Sequence, residues 1–163
     1  MKKIAVIYPE IEQFSNQGGA FAIKGFEILR RLKLRDIQVF APYSKGPQYQ
    51  IRNIKVTNIY ASKYLQHSFP QKVYRAIYNF EIAIRTYKKF DTVLVFNRPW
   101  YCPLIRFFNP KAQIILFLGN NHLLTMPEKK STKSIRNTDL IICVSEFVRK
   151  GIINKFPCAK ENW

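Results

Sequence analysis

The sequence lacks any apolar run that approaches the roughly 18 residues required to span a bilayer as a helix. Its first residues, MKKIAVIYPE, have a charged head, but the apolar stretch ends at Pro9. Such a stretch is too short for a secretory signal and is typical of a buried strand. We therefore expect the chain to begin with the first strand of a folded domain.

Cysteine is scarce, and the familiar catalytic and metal-binding patterns are missing. The three cysteines, Cys102, Cys143 and Cys158, are an odd number at spacings that fit no metal site. This favours a reducing, cytoplasmic setting. The sequence shows no paired acids, no zinc spacing and no Ser-His-Asp pattern.

Acidic residues are also few, which makes the chain strongly basic. Ten Asp and Glu stand against 27 Lys and Arg, for a net charge of +17. Such an excess attracts polyanions: nucleic acid, an anionic membrane surface or phosphorylated substrates. A solvated basic surface without a binding role is the simpler alternative. A nucleic-acid partner is disfavoured, because no helix-turn-helix, RRM, zinc-finger or KH signature is present and the basic residues are spread along the chain.

Apolar runs and amphipathic segments alternate along the 163 residues, a length that suits one domain. The expected strands are residues 3–8, 37–41, 91–96, 112–118 and 139–144, and residues 51–60 are expected to form either a further strand or an irregular edge segment. The expected helices are one that opens at Gly18-Gly19 and continues through Ala22, Phe26, Leu29 and Leu32, then 70–89, 101–108, 129–136 and a last one capped by Ser145. This alternation predicts an α/β fold: a single Rossmann-like domain over residues 1–163, with a parallel sheet and helices on both faces.

Ligands of such sheets bind at the carboxyl ends of the strands, so the loops after the strands are the candidate sites. The first loop contains Gly18 and Gly19 immediately before a helix. Glycines there let backbone N–H groups approach a phosphate at the positive end of the helix dipole. The pattern is neither G-x-G-x-x-G nor a Walker loop, and a simple tight turn is an equal alternative.

The loop after the fourth strand reads Asn97-Arg98-Pro99-Trp100. A guanidinium group binds phosphate in a bidentate manner, and aromatic rings stack on the faces of sugars, so this loop suits an anionic or sugar ligand. In the alternative interpretation, Arg98 caps a neighbouring helix and Trp100 belongs to the core.

The loop after the fifth strand contains Asn120 and His122. His122 is a candidate general base because the pKa of an imidazole lies near neutrality. A purely structural histidine is the alternative, since no partner carboxylate is evident in the sequence.

Basic and aromatic residues interleave along the expected helix at 70–89, and its apolar residues extend round more of the helix than one face needs. This composition fits a helix that lies on an anionic membrane surface. An ordinary surface helix that packs one side on the sheet is the alternative.

Three segments together resemble the N-terminal domain of family 4 glycosyltransferases. The first strand, Ile4 to Pro9, followed by Gly18-Gly19-Ala20, is similar to that family's first strand and glycine loop. Residues 91–101 resemble a segment of bacterial members that build surface polysaccharides, and residues 139–149 resemble the last strand and helix of the N-terminal domain. The resemblance spans the whole chain and rests on the order and spacing of these segments.

The resemblance implies a GT-B architecture, in which two Rossmann-like domains face each other across a cleft. The N-terminal domain binds the acceptor, a glycan or lipid-linked glycan, and the C-terminal domain holds most of the nucleotide-sugar donor. The sequence ends at Trp163, about where the family crosses to that second domain. The C-terminal donor domain is thus expected to be absent, and the 163 residues alone to be inactive. Neither a metal nor a cofactor is implied, since the nucleotide-sugar is a substrate.

The resemblance also assigns roles to individual residues. It implies donor-phosphate binding by Gly18 and Gly19, and a catalytic contribution from His122. Acceptor binding is assigned to the remaining candidates, which are Asn97, Arg98, Trp100 and Asn120.

One departure concerns the position after the fifth strand, where many family members carry a histidine. Here that position is Gly119, and His122 follows three residues later. Either His122 takes over from a shifted loop, or the group has been lost. The alternative to a transferase is therefore a non-catalytic binding module, or a subunit that needs a partner chain.

Overall fold

The computed structural model describes residues 2–12, 14, 20–31, 36–43, 54–61 and 69–163. Within these residues the chain forms six strands. They are β1 (Ile4–Ile7), β2 (Ile37–Pro42), β3 (Ile54–Ile59), β4 (Thr92–Phe96), β5 (Gln113–Leu118) and β6 (Leu140–Cys143). Of residues 51–60, expected to form a strand or an irregular edge segment, Ile54–Ile59 form the strand β3.

All six strands belong to one parallel sheet with the order β3-β2-β1-β4-β5-β6. β1 lies at the centre, with Ile4 paired to Ile37 on one side and to Thr92 on the other. Apolar runs form these central strands because a parallel sheet is buried on both faces. The predicted Rossmann-like α/β fold is confirmed.

The helices of the described residues are α1 (Ala20–Arg31), α2 (Gln71–Thr86), α3 (Cys102–Phe108), α4 (His122–Thr125), α5 (Glu128–Arg136) and α6 (Glu146–Lys155). Two 3-10 helices, Pro99–Tyr101 and Pro157–Asn162, complete the set. Ser145 caps α6 as predicted, since its hydroxyl accepts a hydrogen bond of 3.3 Å from the Val148 amide. The short helix α4 was not predicted; its residues were assigned to a loop. Leu32, placed in the first helix from its sequence, lies outside the described residues.

Helices cover both faces of the sheet, and each face has its own core. Against one face, α1 packs Phe26 and Leu29 onto Val6 and Val39. The other face carries the larger core, to which α2 contributes Tyr78 and Ile82. Burial of these side chains supplies the main free energy that holds the layers together.

One glycine is required by a close approach between α1 and β1. The buried Tyr8 ring follows β1, and its hydroxyl donates a long hydrogen bond of 3.5 Å to the Ala22 carbonyl. A Cβ added at Gly25 would lie 2.1 Å from that hydroxyl oxygen. Only glycine therefore lets α1 pack this closely to the end of the central strand.

Candidate site at the carboxyl edge of the sheet

The strand order reverses between β1 and β4, which are neighbours in the sheet although the chain leaves them in opposite directions. At this edge of an open α/β sheet the two departing loops leave a crevice where ligands bind. The loop after β1 carries Glu10; after β4 come Arg98 and then Trp100, which lies in the 3-10 helix Pro99–Tyr101.

A completely buried carboxylate lies beneath the surface at this edge of the sheet. Glu10 is 0% exposed, and its Oε2 accepts hydrogen bonds from Arg98 Nε at 2.6 Å and from the Tyr101 hydroxyl at 2.7 Å. Burial alone would raise the pKa of the Glu10 carboxyl, but Arg98 and the hydrogen bonds outweigh it and hold that pKa below its usual range. Glu10 is therefore ionised at neutral pH, as a buried charge with partners can be.

A second arginine reaches the other oxygen of the same carboxylate. Arg75 Nε, from α2, lies 2.7 Å from Glu10 Oε1, an ion-pair distance at which the N–H is not aligned for a hydrogen bond. Arg98 is only 4% exposed, whereas 35% of the Arg75 side chain is exposed. Arg98 therefore neutralises Glu10 inside the protein, and Arg75 carries positive charge to the surface of the crevice.

Glu12, two residues after Glu10, has a different electrostatic environment. Burial raises the pKa of the Glu12 carboxyl; Arg98 and a backbone hydrogen bond from Ala22 oppose this effect. Its buried Oε2 has no hydrogen-bond partner in the described part of the chain. Two neighbouring carboxyls whose environments push their pKa values apart are typical of sites that handle protons.

Trp100 and His122 form the wall of the crevice beside the arginines. The two rings meet edge to face with centroids 5.5 Å apart, and the guanidinium carbon of Arg98 lies 5.1 Å from the Trp100 ring centre. Burial lowers the pKa of His122, and repulsion by Arg98 and Arg75 lowers it further. The imidazole is thus neutral at physiological pH and able to accept a proton.

Two asparagines frame the same edge. Asn97 is buried, has a left-handed backbone (φ 52°), and accepts a hydrogen bond from Arg98 at its carbonyl. Its side-chain Oδ1 has no hydrogen-bond partner within the described ranges. Asn120 accepts a hydrogen bond of 3.1 Å from the His122 amide, which fixes the start of α4.

The structure thus brings together several of the residues that the sequence singled out. Asn97, Arg98, Trp100 and His122 lie close together at the carboxyl edge of the sheet, with Asn97 and Arg98 buried, while Gly18 and Gly19 lie outside the described residues. Arg98 is engaged by Glu10, so the arginine that faces the crevice surface is Arg75. The ligand and catalytic roles assigned to these residues from sequence remain predictions.

Sequence reasoning missed Glu10, Glu12 and Arg75 as members of the site. The sequence does contain one signal for the two acids: Glu10 and Glu12 follow the first strand, at the edge of the sheet where ligands bind. In the described ranges no group of three or more His, Cys, Asp or Glu side chains is arranged to hold a metal ion.

Comparisons with known proteins support the α/β fold and give weak support for a glycosyltransferase-like role. The sequence is 35% identical to "Putative glycosyltransferase YtcC" of Bacillus subtilis over an alignment of 77 residues, which covers 44% of this chain and 18% of that protein. The structure matches the N-terminal domain of a trehalose-6-phosphate phosphatase from Candida albicans with a TM-score of 0.60 and 13% identity, over 96% of this chain and 42% of that one. The chain spans less than half the length of either, and no model of a known protein family matches it.

Proposed function

We propose that this chain is the acceptor-binding, N-terminal half of a glycosyltransferase with the GT-B architecture. It would transfer a sugar from a nucleotide-sugar to a glycan or lipid-linked acceptor on the cytoplasmic side, in the synthesis of cell-surface polysaccharide. The partial similarity to the Bacillus subtilis protein supports this class of activity. The resemblance of the sequence to family 4 motivates the finer assignment.

One observation carries the proposal: a neutral imidazole, an aromatic ring and a partly exposed guanidinium lie together at the switch point of the sheet. His122, Trp100 and Arg75 are each half-buried there, above the internal Glu10–Arg98 pair. Sugar ligands need an aromatic face and hydrogen-bonding groups, and phosphate groups need a cation. The buried pair joins Glu10, after β1, to Arg98, after β4, and so fixes these two residues relative to each other before any ligand binds.

In the proposed reaction, the acceptor hydroxyl forms a bond to the anomeric carbon of the donor sugar while the bond to the nucleoside diphosphate breaks. The hydroxyl proton must leave, and neutral His122 would accept it. Trp100 would stack on the acceptor sugar, with Asn97 and Asn120 as polar contacts. The donor diphosphate would approach Gly18 and Gly19, while a C-terminal domain would hold the rest of the nucleotide-sugar.

Acceptor binding can be tested by fluorescence, because the chain has only two tryptophans, Trp100 and Trp163. In a Trp163→Phe variant, Trp100 is the single reporter. We expect saturable changes in its emission with members of a panel of short-chain prenyl-diphosphate mono- and disaccharides. The range should extend to about 1 mM, the upper part of ordinary KM values.

The second part of the test separates site binding from adsorption of the prenyl chain. Arg75→Gln should weaken the response at least about fivefold, because it removes the cation at the crevice surface. The matched control is Arg136→Gln, an exposed arginine on α5. No emission change with any saccharide, or equal loss in both variants, would contradict the proposed acceptor site.

A further inference from the structure

The side of α2 that points away from the sheet is apolar instead of polar. Its core side carries Tyr74, Tyr78 and Ile82, which are buried. Spacings of four and three residues place five apolar side chains on the opposite side, each 36–50% exposed: Val73, Ile77, Phe80, Ile84 and Tyr87. We call these five residues the apolar stripe. An outward face of this kind marks an interaction surface, because a helix normally turns polar residues to water.

The apolar stripe continues onto the neighbouring helix α3. The Phe108 ring meets Phe80 and Tyr87 edge to face, with centroids 6.0 and 6.2 Å apart. Phe107 lies against Phe108 at 5.3 Å and is itself 77% exposed. The exposed apolar surface is therefore a continuous patch across two helices rather than a set of isolated side chains.

Basic residues stand at both ends of the stripe. Lys72 is exposed in the first turn of α2, and Lys88 and Lys89 follow its last residue. The latter two line a surface pocket together with Lys3, Lys55 and one acidic residue, Asp36.

The single acidic residue of α2 leaves this charge largely uncompensated. Glu81 forms an ion pair with Arg85 at 2.7 Å and accepts hydrogen bonds from the amides of Tyr60 and Ala61. Its carboxylate is therefore already occupied by neighbours within the domain. An apolar centre flanked by lysines that outnumber the nearby acidic residues matches the chemistry of an anionic lipid surface.

We propose that α2 and the end of α3 dock on an anionic lipid membrane, with the apolar stripe among the acyl chains and the flanking lysines at the headgroups. In the described part of the chain, no helix is long and apolar enough to cross a bilayer. A helix of 16 residues, about 24 Å long, is suited instead to lie in the interface plane. A second copy of this chain is a poor occupant, because each copy brings a net charge of +17.

This docking would place the candidate site at the membrane surface. The first turns of α2 reach the crevice, since the Tyr74 hydroxyl donates to the Glu10 carbonyl at 2.9 Å and Arg75 contacts the Glu10 carboxylate. A membrane-embedded acceptor could then reach the crevice without leaving the bilayer. The proposal goes beyond the proposed function and does not rest on it, because membrane binding is measured without any sugar.

The test is co-sedimentation of the 163-residue chain with vesicles of phosphatidylcholine alone or mixed with 30% phosphatidylglycerol. We expect saturable binding to the anionic vesicles that weakens steeply between 0.05 and 0.5 M NaCl, because the Debye length falls over this range. Equal binding to neutral and anionic vesicles would overturn the proposal.

Two pairs of variants with matched controls distinguish docking through α2 from general attraction of a basic protein. Ile77→Gln with Ile84→Gln should weaken binding about tenfold or more. The control, Ile23→Gln with Ile28→Gln, changes two similarly exposed isoleucines on α1 and should have little effect.

A second pair of double variants tests the flanking lysines in the same way. Lys72→Glu with Lys89→Glu should weaken binding at least roughly 25-fold, at about fivefold for each lysine lost near an anionic surface, and the repulsion of the two new carboxylates should add to this. Lys24→Glu with Lys150→Glu changes the net charge equally on α1 and α6 and should cost much less.

Two outcomes would overturn the assignment of the surface. One is that the α2 variants and their controls lose binding equally while circular dichroism shows that all remain folded. The other is a wild-type chain that is a stable dimer in gel filtration and becomes monomeric on Ile77→Gln with Ile84→Gln, which would mean that a second copy covers the stripe.

Discussion

Replacing Arg98 with methionine tests whether the internal ion pair holds the crevice together. The change leaves Glu10, which is 0% exposed, without its buried partner at 2.6 Å. Breaking a buried pair by removing one partner costs about 3–5 kcal/mol. We expect the lower end of that range, about 3 kcal/mol, because Tyr101 and Arg75 still contact the carboxylate. For a domain of this size the melting temperature should fall by about 6–12 °C.

The assay is urea and thermal unfolding at pH 7, followed by circular dichroism. The matched control is Arg30→Met, which breaks a surface pair with Glu27 at 2.8 Å whose side chains are 58% and 35% exposed. Such surface pairs contribute at most about 1 kcal/mol, so the control should unfold almost as the wild type does.

A double variant measures the coupling itself. Glu10→Gln with Arg98→Met removes both charges, and it should be more stable than Arg98→Met alone, because no unpaired charge remains buried. If Arg98→Met costs no more than Arg30→Met, the ion pair does not hold these loops, and the account of the site as a preorganised crevice is refuted.

Three further predictions concern packing and protonation. Gly25→Ala should destabilise the domain by about 1–3 kcal/mol in urea unfolding, because the added Cβ would overlap the buried hydroxyl of Tyr8. In NMR titration the pKa of His122 should lie below the ordinary histidine value, and Arg75→Gln should raise it by removing a repulsive charge. The free energy of unfolding lost in Glu10→Gln should be present at neutral pH and shrink as the pH falls through the lowered pKa of that carboxyl, measured as urea unfolding between pH 7 and pH 3.

Each of these predictions has a contrary result. A stability for Gly25→Ala that equals that of Gly151→Ala would contradict the close approach, since a Cβ at Gly151 meets only the end of the Leu124 side chain at 3.0 Å. An unchanged His122 titration in Arg75→Gln would mean that the arginine lies farther from the imidazole than the structure places it. A Glu10→Gln difference that stays constant down to pH 3 would mean that folding does not lower the pKa of this carboxyl.

The fold was predictable because the signals that determine it are local. Apolar runs bounded by Pro9, Pro42 and Asn97 indicate the strands, and their alternation with amphipathic helices predicts the parallel sheet. The cap at Ser145 was also predictable from residue types alone. The short helix α4 was not, because four residues carry no helical periodicity.

The buried ion pair of the site and its contact with Arg75 were not predictable, because they depend on contacts between distant parts of the chain. Glu10 and Arg98 are 88 residues apart and meet only because β1 and β4 are neighbours in the sheet. Arg98 was expected to face a ligand, and nothing in its local sequence reveals that a buried carboxylate engages it. Arg75 was visible only as one of several basic residues on a helix, since its role depends on which turn of α2 reaches the crevice.

The most direct test of the central claim is sugar transfer by the native protein purified from its source cells. Radiolabelled nucleotide-sugars would be incubated with the protein and a membrane extract from the same cells. We predict label in an extractable glycolipid, with transfer at least about 100-fold slower in His122→Ala, as for loss of a general base, and unchanged in Phe107→Ala under detergent. Transfer from none of the common nucleotide-sugars, or full activity in His122→Ala, would contradict the account.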